Sequence, residues 1–66
     1  MNKLATIRND AGVTQEQVAR VLGVSAKTPH NWEQLDDAKV KAYQVISYEH
    51  AVAEVVALIA RYLQAA

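Results

Sequence analysis

Few side chains in this sequence could do catalysis. The two histidines, His30 and His50, lack the partners that would complete a nucleophilic triad. Glu49 and Glu54 form no acid–base pair at a cleft. Cysteine is absent, which removes disulfides and Cys-based zinc sites, and no close His/carboxylate cluster offers another way to hold a metal. No cofactor is expected, and an enzyme is not. The chemistry left is recognition, and its densest pattern lies between Thr14 and Glu33.

The elements that position this stretch are small. With 66 residues the chain is one domain, near the lower limit for folding without staples. A chain this short gains most by borrowing core from a partner, so an oligomer is expected. Hydrophobic residues make up 52% of it, which suits a packed globule and argues against disorder. No apolar run reaches the ~18 residues of a membrane span. Met1-Asn2-Lys3-Leu4 opens without the apolar core of a secretion signal, and a cytoplasmic location is expected. Net charge is zero but unevenly spread. Residues 1–32 carry Lys3, Arg8, Arg20 and Lys27 against Asp10 and Glu16, a net +2. Residues 33–66 carry Lys39, Lys41 and Arg61 against Glu33, Asp36, Asp37, Glu49 and Glu54, a net −2. Such a split can face one half toward phosphate.

Most of the chain reads as helix, and the fold class expected is all-α, a compact bundle of about five helices. Asn2 can cap a first helix bearing Leu4, Ile7 and Ala11, and Gly12 suits the left-handed position past its end. Thr14 and Gln17 spell a capping box, with Val13 and Val18 placed as a hydrophobic staple. A second helix then runs to Leu22 and ends at Gly23. Ser25 can cap a third helix holding Trp32 and ending near Gln34. Asp36 or Asp37 can cap a fourth, with Val40, Tyr43 and Ile46 inward. Ser47 can cap a fifth over about 47–65, with Glu49 in its first turn. Nothing breaks the chain firmly at Ser47, so helices four and five could be continuous. Val40 to Tyr48 is also rich in strand-favouring residues, although its spacing suits a helix better.

A helix of about eight residues, a glycine-bearing turn and a second helix make the helix-turn-helix plan. Ala19 is small where the helices cross, and Gly23 permits the positive φ the turn needs. Val18, Leu22, Val24 and Trp32 are expected to seal the pair against the core. The outer face of the third helix would then be free to enter a major groove.

Gly12-Val13-Thr14-Gln15-Glu16-Gln17-Val18-Ala19, then Leu22-Gly23-Val24-Ser25, then Trp32-Glu33 resembles the lambda-repressor-like, or Cro/XRE, family. The likeness covers roughly residues 3–34. It implies a DNA-binding transcriptional regulator, of the repressor type found in phages and mobile elements. It implies that Gln15, at the start of helix two beside Thr14, binds a DNA phosphate. It also implies a salt bridge from Arg8 to Glu33. Base reading would fall to Ala26, Lys27, Thr28, His30 and Asn31. Lys27 can donate to guanine or to phosphate, Asn31 can pair with adenine through two bonds, and Thr28 can touch a thymine methyl. Ala26 could only pack on a methyl.

Pro29 departs from the family pattern, which has a branched apolar residue there. With Ser25 as cap, Pro29 is the fourth helical residue and costs a hydrogen bond. With Thr28 as cap, it takes the favoured first position. Sequence leaves both open. The C-terminal half does not match the family closely. Val52, Val55, Val56, Ile59, Tyr62 and Leu63 lie on one face of the last helix and are expected to complete the core and form a homodimer interface. A dimer would set two reading helices roughly 34 Å apart on a palindromic duplex. The alternative is a protein-binding module, such as an antitoxin or antiactivator, holding a protein partner through the last helix.

Overall fold

The computed structural model describes residues 1–65. They form four α-helices: α1 (Lys3–Asp10), α2 (Gln15–Leu22), α3 (Lys27–Trp32) and α4 (Ala42–Ala65). A short 3-10 turn, Asp37–Lys39, separates α3 from α4. Among the described residues there is no strand, Val40 to Tyr48 included, and no helix is long and apolar enough to cross a membrane.

Local chemistry sets the first two helices. The Asn2 carboxamide oxygen accepts from the amides of Leu4 and Ala5 at 3.1 and 3.2 Å, capping α1. At the other end Gly12 takes φ 69°, and the amides of Gly12 and Val13 return to the carbonyls of Asn9 and Arg8. The same six-residue closure ends α2, where Gly23 takes φ 73° and Val24 bonds back to Ala19. Between them Thr14 Oγ1 accepts from the Gln17 amide at 3.1 Å, and Gln17 Oε1 accepts from the Thr14 amide at 2.9 Å.

Neither cap considered for α3 is used. The helix starts at Lys27, with Ala26 already helical (φ −61°, ψ −20°) and no side-chain cap. Pro29 is therefore the third helical residue. The first four amides of a helix have no intrahelical acceptor, so the missing N–H costs the ladder nothing. Its ring is fully buried instead. The helix ends at Trp32, short of Gln34. Asn2 explains part of that ending, since its Nδ2 donates to the carbonyls of Trp32 at 2.7 Å and Leu35 at 3.0 Å.

The expected fourth and fifth helices are one helix of 24 residues. Ser47 does not start a helix because the buried stripe runs straight past it: Gln44, Tyr48, Ala51, Val52 and Val55 keep unbroken helical spacing. Asp36 and Asp37 do not cap α4. Asp37 Oδ1 instead accepts from the Lys3 amide at 2.7 Å, and α4 opens with Gln44 Oε1 accepting from the Lys41 amide at 2.9 Å. This frame turns Tyr43 and Ile46 outward, 56% and 54% exposed, rather than inward.

The core gathers Leu4, Val13, Val18, Tyr48, Ala51, Val52 and Val55, with Ile7, Leu22, Trp32, Val40 and Val45 packed around it. Here α4 lies across α1 and α2, and α3 packs on α2. Val24 does not join the seal and is exposed. Val52 and Val55, expected at a dimer interface, are buried within the one chain at 8% and 6% exposure. The other four positions of that expectation, Val56, Ile59, Tyr62 and Leu63, are exposed. The last turns of α4 carry the molecule to an extent of 42 Å against 21 and 17 Å across.

Candidate nucleic-acid interface

Behind the α2–α3 pair sits one buried carboxylate. Glu33 follows α3 directly, and its side chain is 6% exposed. Arg8 on α1 grips it with two bonds, Nε to Oε2 at 2.7 Å and Nη2 to Oε1 at 2.8 Å. The third guanidinium nitrogen, Nη1, donates to the Val13 carbonyl at 2.9 Å. Gln15, the first residue of α2, donates Nε2 to Oε1 at 3.2 Å. Tyr48 on α4 donates its hydroxyl to Oε2 at 2.8 Å, with the Pro29 carbonyl also within 3.2 Å of that hydroxyl. Both carboxylate oxygens thus accept two bonds each, and no buried side-chain polar atom among the described residues lacks a partner.

The electrostatics follow from this packing. Burial pushes the Glu33 carboxyl up, but the hydrogen bonds from Arg8, Tyr48 and Gln15 outweigh it and hold the group below the usual carboxylate range. The bond to Glu33 raises the Arg8 guanidinium further. Burial, then the bond to Glu33, pushes the Tyr48 phenol up. At neutral pH the cluster is a charged pair with a neutral phenol. Its geometry ties all four helices to one point and fixes how α3 leans on α2.

The opposite side of α3 is polar and open. Lys27, His30 and Asn31 are exposed, Thr28 is half-buried, and Ala26 is exposed just before the helix. The His30 ring nitrogen Nε2 lies 2.8 Å from the Gln34 carboxamide nitrogen, which ties the imidazole to the turn after α3. Thr14 and Ala26, from the starts of α2 and α3, line one shallow depression with Arg8, Gln15 and Glu16. The Gln15 and Glu16 amides at the start of α2 have no intrahelical acceptor, the Gln17 amide being taken by Thr14 Oγ1, while Glu16 adds a negative charge to the same rim. The Gln15 side chain is half-buried, and one of its two carboxamide hydrogens goes to Glu33, which leaves the other without a protein partner among the described residues. An anion at this spot would meet the backbone of α2 first.

Two participants escape a sequence reading. Tyr48 has no local signal beyond its place in an apolar stripe. A buried phenol needs a partner for its hydroxyl, however, and that rule marks it as polar cargo. Asn2 is legible as a cap for α1, but its second role at the end of α3 spans 30 residues. Trp32 sits between the two sides, edge-on to Tyr43 at 6.0 Å and tilted against Tyr48 at 6.2 Å.

No protein-family model matches the chain, nor does any curated protein or solved structure in comparisons of sequence and fold.

Proposed function

We propose that the chain is a sequence-specific DNA-binding transcriptional regulator, with α2 and α3 acting as a helix-turn-helix and α3 lying in the major groove. One observation carries the reading. Two short helices joined through Gly23 in the left-handed conformation are locked from behind by the Glu33 cluster, and Lys27 and Asn31 stand exposed on the outer face. A rigid backing is what base readout requires, because hydrogen bonds to base edges demand placement within a fraction of an ångström. In this reading Lys27 and Asn31 contact bases, Thr28 and Ala26 pack against the groove, and the amides at the start of α2 hold a phosphate beside Thr14. The likeness of residues 3–34 to Cro/XRE sequences supports the same assignment. α3 carries a single lysine or arginine, Lys27, so few phosphates are neutralised by the reading helix and its share of the salt dependence should be modest.

Selection from random duplex DNA at one stated salt concentration tests the proposal. A recurrent motif should emerge, and Lys27→Ala and Asn31→Ala should each weaken binding to it by about 1–3 kcal/mol while circular dichroism stays unchanged. Failure to enrich any sequence, or wild-type affinity in both variants, would overturn it.

A further inference from the structure

The stripe that α4 buries does not stop at the edge of the globule. Gln44, Tyr48, Ala51, Val52 and Val55 are buried, and the same three- and four-residue spacing brings up Leu58, Ile59 and Tyr62. No side chain from 56 to 64 is buried, and Tyr62 is 79% exposed. Beside this overhang Val21 of α2 is also exposed. Gln17, Arg20 and Val21 face Val55, Leu58 and Ile59 across a shallow, mainly apolar groove.

Charge says what covers it. Glu54 and Arg61 border the seam on one side, about 10 Å apart along the helix, and neither has an ion-pair partner among the described residues. A second copy laid antiparallel, with its two-fold axis between these residues, sets Glu54 of each chain against Arg61 of the other, twice over. A parallel copy in register would set this flank against the opposite one, where Val56, Ala60 and Leu63 offer no charge. Antiparallel pairing also carries Tyr62 back to within a turn of Val55 on the second copy, over the groove that Val21 borders.

Size decides between a tip-to-tip contact and a wider one. The overhang of about ten residues is about 15 Å long, too little for the ~800 Å² per partner of a stable interface. The groove on α2 supplies the remainder. We propose that α4 pairs with the α4 of a second copy in antiparallel sense, its Ile59 and Tyr62 seated against the α2–α4 groove.

Light scattering after size exclusion, over a concentration series of the full chain, reads the result. The expected species is a dimer. Ile59→Asp with Tyr62→Asp should give a monomer of unchanged helicity, since both side chains are exposed in the single chain. Glu54→Arg and Arg61→Glu should each raise the dimer dissociation constant roughly tenfold, and the two together should restore it. A wild-type chain monomeric at its highest soluble concentration would overturn the proposal. So would a dimer indifferent to the aspartates, or an exchange of charges that restores nothing.

Discussion

The Tyr48 hydroxyl of α4 donates a hydrogen bond to the carboxylate of Glu33, which closes α3, at 2.8 Å. The acceptor is charged and buried, which places this bond among the stronger side-chain hydrogen bonds. Tyr48→Phe removes it and keeps the ring. The loss should be about 1.5–3 kcal/mol in a urea titration. A loss below about 0.5 kcal/mol, the range of an ordinary surface change, would show that the hydroxyl adds nothing to the cluster.

The Arg8–Glu33 pair makes a sharper test, because cutting one side leaves a buried charge. Arg8→Met should cost about 3–5 kcal/mol. That is a large share of the roughly 3–10 kcal/mol to be expected for a domain this size. Arg8→Met combined with Glu33→Gln should recover much of the loss, as no uncompensated charge remains. If the double variant is as unstable as the sum of the two, the pair is not a coupled unit.

The cluster also sets a pH profile with two limbs. Glu33 titrates lower in the folded chain than in the unfolded one, where a glutamate ionises near ~4.3. Its stabilising contribution is complete above that value and is lost as pH falls through the lower folded value. Tyr48 titrates higher when folded. Above about pH 10 the unfolded phenol ionises first, and stability falls as pH rises. Melting curves across pH should therefore drop at both ends. Glu33→Gln should flatten the acid limb and Tyr48→Phe the alkaline one, whereas limbs unchanged by either variant would place the titration elsewhere.

Gly23 isolates the backbone cost of the turn between α2 and α3. A Cβ there would meet nothing within 4 Å, so sterics with neighbours do not enter. What remains is the left-handed conformation itself, which should cost Gly23→Ala about 1–2 kcal/mol. Gly23→Asn should cost less, because asparagine tolerates this region. Equal melting temperatures for glycine and alanine would show that the turn relaxes to another conformation.

The elements legible in the sequence were those written in adjacent residues. Asn2, Gly12, the Thr14–Gln17 box and Gly23 mark their helix ends by chemistry acting over three to five positions. Ser47 misled for the complementary reason: serine is a good cap but also a tolerable interior residue, and only tertiary packing says which it is. Tyr43 and Ile46 fit an inward face until Gln44 and Tyr48 take it, one residue out of phase. Pro29 read as an interruption because the start of α3 has no side-chain cap to announce it. Val52 and Val55 share one stripe with Ile59 and Tyr62, and spacing alone cannot say where the chain's own core stops along it. In the candidate site, Lys27, His30 and Asn31 were named through the resemblance to Cro/XRE sequences, and they are exposed. The inward commitment of Gln15 and the bond from Tyr48 depend on contacts 18 and 15 residues apart.

Because Glu33 accepts bonds from side chains of α1, α2 and α4, no helix can swing away alone without taking a hydrogen bond from that buried carboxylate. The cluster therefore couples the opening of one helix to that of the others. Backbone amides in all four should then exchange with solvent through a common global event rather than by separate partial ones. The exception is the stretch of α4 beyond Val55, which is anchored to none of this and can fray or stiffen with whatever lies against it.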